Sequence, residues 1–163
     1  MVEDNEWYNK LLVHYLGMDP DHDVKGFFTG SELMKHLHER PDVITLDYRL
    51  PDGLGSELLK KIREYDETIE VIIISEQEDI QVALDLLKEG AFDYLVKNEE
   101  IRQRLDNTIG KIRDKSGLRK RIRALEKEVV SKYDFAKAII GNSRPIQGVL
   151  ELMWGLQESL AEV

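Results

Sequence analysis

The chain contains no cysteine, which excludes disulfides, thiolate metal sites and a cysteine nucleophile. It has no apolar run near the roughly 18 residues that a membrane-spanning helix needs. Its opening, Met-Val-Glu-Asp-Asn, lacks the basic and apolar regions of a secretory signal. These absences predict a soluble, cytoplasmic protein. Positive charge is scarce at the front. Residues 1–100 carry 10 Lys and Arg against 24 Asp and Glu, a net −14, whereas residues 101–163 carry 13 against 8, a net +5. Such a split marks two structural units. The acidic front argues against direct nucleic-acid binding there, because phosphates are repelled. What is present suffices for a core: 163 residues, 42% of them hydrophobic, fit one domain of ordinary size plus an appendage.

Periodicity places the elements. Trp7, Leu11, Leu12, Tyr15 and Leu16 are spaced for one helix face, which the segment 19–21 ends. Residues 24–28 predict a short strand. Thr29 with Glu32 reads as a capping box ahead of Leu33, Met34 and Leu37. The apolar run 43–46 is a strand ending in Asp47, followed by a loop with Pro51, Gly53 and Gly55. Leu58, Ile62 and Tyr65 form a helix stripe, and the run 71–74 is a second buried strand ending in Ser75. Ile80, Ala83, Leu84 and Leu87 form another stripe closed by Gly90, and the run 94–96 is a last strand ending in Lys97. Unalternated β-branched strands are buried on both faces, as in parallel sheets, so the expectation is an α/β three-layer sandwich. Glu3 and Asp4 fall at the end of a first strand that only Met1 and Val2 precede.

Open parallel sheets carry their sites at the carboxyl ends of the strands. Asp47, Ser75 and Lys97 are found there, with Glu3 and Asp4. A carboxylate so placed can attack a phosphoryl group and become an acyl phosphate. Two anions repel, so the reaction needs cations. Carboxylates of Glu3 and Asp4 beside Asp47 suit Mg²⁺, Lys97 supplies a point charge, and Ser75 a hydroxyl donor. Each residue alone has a blander reading. A strand-end Asp is more often a cap, Ser75-Glu76-Gln77-Glu78 also fits a capping box, and a lone Lys is usually solvated. Their conjunction at successive strand ends favours phosphoryl chemistry.

Val2-Glu3-Asp4-Asn5, the run Asp47-Tyr48-Arg49-Leu50-Pro51-Asp52-Gly53-Leu54-Gly55, Ile72-Ile73-Ile74-Ser75 and the run from Gly90 to Lys97 together resemble the receiver domains of two-component response regulators, over residues 1–112. The resemblance implies a flavodoxin-like (βα)5 fold with a central parallel sheet of order 2-1-3-4-5, here with a shortened first strand. It implies Asp47 as phosphoacceptor. Glu3, Asp4, Asp47 and the backbone carbonyl of Arg49 would hold Mg²⁺. Ser75 and Tyr94 would form the switch pair, Lys97 would be the conserved-type lysine, and the side chains of Arg49 and Gln77 would tune acyl-phosphate lifetime. A sensor histidine kinase is the implied phosphodonor. Three departures stand out. The acidic pair is Glu-Asp rather than Asp-Asp, Glu76 stands where a small residue is usual, and Asn98 stands where proline is usual. A cis bond before a residue other than proline would cost about 2.5–4 kcal/mol.

Beyond residue 99 the texture changes. Ile101, Leu105, Ile109 and Ile112 form a helical stripe, which Lys115-Ser116-Gly117 is expected to interrupt. Leu118, Ile122, Leu125 and Val129 then follow a 4-3-4 spacing. Residues 113–134 read as a helical linker. Residues 135–163, with Ile139-Ile140-Gly141-Asn142-Ser143-Arg144-Pro145-Ile146-Gln147, resemble the start of the AAA+ ATPase domain of NtrC-type, sigma-54-dependent activators. That resemblance implies a linker that pairs in a homodimer, with Ile112, Leu118, Ile122, Leu125 and Val129 as its seam. No phosphate-binding loop Gly-x4-Gly-Lys-Ser/Thr and no DNA-binding helix-turn-helix is present. The expected function is therefore a signalling switch rather than an enzyme. The competing readings are a phosphorylation-independent interaction module and, further off, a phosphatase or phosphotransferase on small substrates.

Overall fold

A computed structural model describes the backbone of residues 1–142 and the side chains of residues 1–133. Its centre is a parallel sheet in which β1 (Val43–Asp47) pairs with β4 (Glu70–Ser75), and β4 pairs with β5 (Asp93–Val96). Every residue of β4 is buried, as an unalternated β-branched run requires. Strand side chains alternate between faces. Val71 and Ile73 accordingly join a core with Leu33, Leu58 and Leu86, from α2 (Gly30–His36), α3 (Gly55–Tyr65) and α4 (Ile80–Lys88). Ile72 and Ile74 join the opposite core with Leu12 and Leu16 of α1 (Glu6–Leu16) and Ile101, Leu105 and Ile112 of α5 (Ile101–Asn142). Helices thus cover both faces, which makes a three-layer α/β sandwich.

The remaining two strands survive as single residues. Val2 bridges in parallel to both Phe27 and Leu46, so the order across the sheet is Phe27, Val2, β1, β4, β5. That is the flavodoxin-like 2-1-3-4-5 order. The segment expected as a strand from Val24 to Phe28 pairs only at Phe27, because Val2 is the one residue it can pair with. Phe27 N–H donates to Met1 O, and Glu3 N–H to Phe27 O.

Several helix faces differ from expectation. Trp7 is 71% exposed, while Tyr8, Asn9, Leu12 and Leu16 turn inward. On α4, Ile80, Leu84 and Leu87 are exposed and Leu86 and Val82 face the core. Both helices carry apolar residues on two sides, so the i, i+3, i+4 pattern admits a frame shifted by about one residue. Tyr65 is likewise exposed, and Leu59 takes its place in the core. The capping box at Ser75 does not start a helix. Asp79 caps α4 instead, accepting from Gln81 and Val82 N–H. No interruption occurs at residues 115–117, and α5 runs through Gly117. Among the described residues no peptide bond is cis, including that before Asn98.

The loop after β1 forms an unexpected hairpin of β2 (Arg49–Leu50) and β3 (Gly53–Leu54). It packs tightly on the strand end. A Cβ on Gly55 would sit 2.8 Å from Asp47 O and 3.0 Å from Tyr48 Cα. These are backbone atoms with little room to yield. Gly55→Ala is expected to lower stability by about 1–3 kcal/mol, and a chemical denaturation midpoint equal to wild type would refute this clash.

By contact density the chain divides into two compact units, between Arg113 and Asp114. In the second, Leu118, Ile122, Leu125, Val129, Val130 and Tyr133 are all exposed. Ile112, expected in the same seam, is 4% exposed and packed in the core of the first unit. It is six residues from Leu118, out of phase with the 4-3-4 spacing, so its side chain is committed inward. Of the segment expected to begin an ATPase domain, residues 143–163 lie outside the described residues, and of residues 135–142 only the backbone is described.

Candidate functional site

Glu3, Asp4, Asp47, Ser75 and Lys97 lie at the carboxyl ends of the parallel elements because each terminates an apolar run. Val2 docks by donating its N–H to Thr45 O and accepting from Asp47 N–H, at 2.8 and 2.9 Å. That pair of hydrogen bonds sets Glu3 and Asp4 beside Asp47. One carboxylate oxygen from each of the three residues lies within 4.8 Å of the others, with Glu3 and Asp47 buried and Asp4 exposed. Lys97 extends the sheet ladder by donating its N–H to Ser75 O. Its ammonium reaches Asp47 Oδ2 at 2.7 Å and Glu3 Oε2 at 2.8 Å, with the Lys97 side chain only 11% exposed. The backbone N–H of Arg49 donates to Asp47 Oδ1 at 3.1 Å.

This packing perturbs the charges. Burial pushes the Glu3 carboxyl up. The Lys97 hydrogen bond offsets part of that rise, and the Asp47 charge adds to it. Burial alone would lower the Lys97 ammonium, but hydrogen bonds and Coulomb attraction to Asp47 and Glu3 outweigh it and raise its pKa. The pocket is therefore an anionic, oxygen-rich cluster with a single cation built in. Three carboxylates facing one opening offer the hard oxygen donors that Mg²⁺ prefers.

Ser75 is buried, and its hydroxyl oxygen accepts from Gln77 N–H at 3.1 Å. Tyr94 is half-buried, and its hydroxyl donates to Gln77 O at 2.7 Å. The Gln77 backbone thus joins Ser75 to Tyr94 directly. The side chains of Arg49 and Gln77 are exposed, and their backbone N–H groups contact Asp47 and Ser75.

Three neighbours escaped sequence reasoning. Tyr8 lies under Lys97, with Nζ 4.8 Å from the ring centroid. Asn9 is buried, and its Nδ2 donates to Glu3 O and Phe27 O, tying the acidic segment to the sheet edge. A polar residue on the inward face of α1 is the signal that would have exposed it. Asp52, in the turn between β2 and β3, accepts from Gly30 N–H, Ser31 N–H and the Ser31 hydroxyl at the start of α2.

Those Ser31 bonds, with the Gly30 amide, hold the Asp52 carboxyl below its ordinary range despite some desolvation. A carboxyl depressed by folding stabilises the native state above its unfolded value, near 3.9, and loses that contribution as pH falls through the folded value. Asp52→Asn should thus cost stability at neutral pH, by about 0.5 kcal/mol because the site is exposed. The gap to wild type should close in acid. Paired denaturation curves across that range are the check, and a gap independent of pH would exclude the charged contact.

A family model described as the response regulator receiver domain matches residues 1–109. The chain belongs to that family. The chain is 29% identical over 165 aligned residues to the regulatory protein LuxO of Vibrio cholerae, an alignment that takes in 100% of this chain and 34% of LuxO. It is 39% identical over 82 residues to the DNA-binding transcriptional regulator NtrC of Proteus hauseri, covering 50% of this chain and 17% of NtrC. The chain therefore spans about a third or less of either relative. Among solved structures, the receiver domain of a LuxO repressor protein from Vibrio parahaemolyticus superposes with a TM-score of 0.68 at 27% identity, covering 74% of this chain and 92% of that one. These likenesses support an NtrC-type receiver acting in two-component signalling. Among the described residues no helix is long and apolar enough to cross a membrane.

Proposed function

We propose that this receiver accepts a phosphoryl group on Asp47 from a sensor histidine kinase in the cytoplasm, with Mg²⁺, and so regulates a sigma-54-dependent activator. The observation carrying the reading is the convergence of Glu3, Asp4 and Asp47 on one point with Lys97 between two of them. In the transfer, a carboxylate oxygen of Asp47 bonds to phosphorus as the P–N bond of the donor phosphohistidine breaks, and the electron pair leaves on the imidazole nitrogen. Glu3, Asp4, Asp47 and the Arg49 backbone carbonyl would hold Mg²⁺, which would offset the anions' repulsion and the developing charge. Lys97 neutralises a further phosphoryl oxygen. The Arg49 and Gln77 side chains flank the acyl phosphate and set its lifetime. The chain modifies itself and turns over no separate substrate, so it is a switch rather than an enzyme.

The new group adds about −1.5 to −2 charges and three acceptor oxygens. Ser75 turns its hydroxyl toward it and gives up the bond from Gln77 N–H. Because the same peptide segment accepts from Tyr94, the aromatic side chain moves with it, and the neighbouring surface shifts population. The experiment is intact mass after incubation with acetyl phosphate and Mg²⁺. Gain of one phosphoryl mass supports the reading, and no adduct leaves a pure interaction module.

Residues 113–134 form the dimer linker of this reading, and residues 135–163 begin an AAA+ domain. Leu118, Ile122, Leu125 and Val129 form an exposed seam whose natural cover is the same helix of a second copy. Changing Ile122 and Leu125 together to Asp is expected to convert a dimer to a monomer in sedimentation equilibrium. A wild type that sediments as a monomer at every concentration would remove the seam from the proposal.

A further inference from the structure

The Lys97 ammonium is held on several sides. Two contacts are to Asp47 Oδ2 and Glu3 Oε2, and a third is to the face of the Tyr8 ring, 4.8 Å from its centroid. That separation is within cation–π range. We propose that Tyr8 is a positioning residue for Lys97, whose ring keeps the ammonium at the pocket while Asp47 and Glu3 exchange partners. The proposal rests on the phosphoacceptor reading above.

The three contacts differ in what else needs them. Asp47 needs its oxygens to bond phosphorus, and the carboxylates of Glu3 and Asp47 are the groups that would hold the divalent cation. Both ion pairs of Lys97 therefore use groups that the chemistry also uses. The ring contact uses none of them. A lysine carries a flexible four-carbon stem, so an ammonium released from both carboxylates would otherwise swing to water. The ring face holds it within reach of an arriving phosphoryl oxygen.

The hydroxyl of Tyr8 does not explain the residue. It is buried and has no hydrogen-bond partner among the described residues, which is an unfavourable arrangement. Simple core filling does not distinguish the side chain either. Tyr8 packs against the cluster containing Leu12, Leu16 and Ile74, a place where leucine or phenylalanine would also fit. What only an electron-rich ring supplies is attraction for the cation.

The test replaces Tyr8 by phenylalanine and then by 4-fluoro-, 3,5-difluoro- and pentafluorophenylalanine. Shape is nearly constant along this series, and the negative ring face is progressively lost. Initial rates of phosphorylation by acetyl phosphate with Mg²⁺ are read by intact mass. Tyr8→Phe should retain the wild-type rate. The fluorinated series should slow stepwise, by roughly tenfold at its end, as expected for a partly desolvated cation–π contact. A flat series in a chain that does take up phosphate overturns the proposal and leaves the acceptor reading intact.

A second readout needs no phosphorylation. The Lys97 ε-methylene protons should show an upfield ring-current shift in wild type and Tyr8→Phe that is absent in Tyr8→Leu. That shift should persist when the protein is saturated with Mg²⁺ alone. Its loss on saturation would show that the ring does not retain the ammonium, and would overturn the proposal. A wild type that keeps the shift but gains no phosphoryl mass would instead defeat the acceptor reading.

Discussion

Asp47→Asn is expected to end phosphoryl uptake completely while leaving the fold in place. Wild type treated with acetyl phosphate and Mg²⁺ should gain one phosphoryl mass that hydroxylamine removes, as an acyl phosphate requires. An amide has no anionic oxygen to attack phosphorus. Its one carbonyl oxygen keeps either the Arg49 N–H or the Lys97 ammonium, which now contact Asp47 Oδ1 and Oδ2 at 3.1 and 2.7 Å, and the amide nitrogen faces the other donor. The substitution offsets that loss by removing one of three like charges in the pocket, since Asp47 is among the groups pushing the Glu3 carboxyl up. Stability should therefore stay within about 1 kcal/mol of wild type. An adduct that survives in Asp47→Asn would move the acceptor to Glu3 or Asp4.

Lys97→Met should be the most destabilising change at the site. It leaves Glu3 and Asp47, 2% and 7% exposed, facing each other without their cation. Removing one partner of a buried pair costs about 3–5 kcal/mol. Because Asp4 and the pocket mouth are open to water, about 2–4 kcal/mol is the fitting range here. The pH dependence has a definite sign. The Glu3 carboxyl is already raised by burial, and loss of Lys97 raises it further. A carboxyl raised by folding destabilises the native state above its folded value, so the variant should recover stability as pH falls and Glu3 takes a proton. Mg²⁺ should also restore stability by mass action, and more in the variant than in wild type. Urea denaturation at two pH values, with and without Mg²⁺, reads all three effects. A variant as stable as wild type at neutral pH would mean that the carboxylates are solvated rather than buried.

The strand ends were legible because β-branched runs stop at them. Val71 to Ile74 can only be a doubly covered strand, and Ser75, as the next residue, must lie at its carboxyl end. The same reasoning placed Asp47 and Lys97, and the parallel order then brought them to one rim. Helix faces were less legible. In α1 both Trp7 and Tyr8 are apolar aromatics, and the pattern does not say which turns inward. The answer puts Tyr8 under Lys97, so the ambiguity fell on a ring that touches the site. α4 repeats the problem with Leu86 and Leu87. Asn9 and Asp52 were missed for another reason. Each makes a bond to a backbone group 18 to 22 residues away, Phe27 O for Asn9 and Gly30 N–H for Asp52, and no local spacing encodes such a partner.

The acidic pair is carried by the least-paired part of the sheet. Val2 is the single bridging residue between Phe27 and β1, so a few main-chain bonds and Asn9 hold that edge closed. Segments with so few protected amides open at low free-energy cost, and the amides of Glu3 and Asp47 should exchange with solvent deuterium well before those of β4. Occupancy of the carboxylates by a cation would then be thermodynamically linked to closure of this edge. Each event would favour the other, and ion concentration would set how long the amino-terminal edge stays zipped.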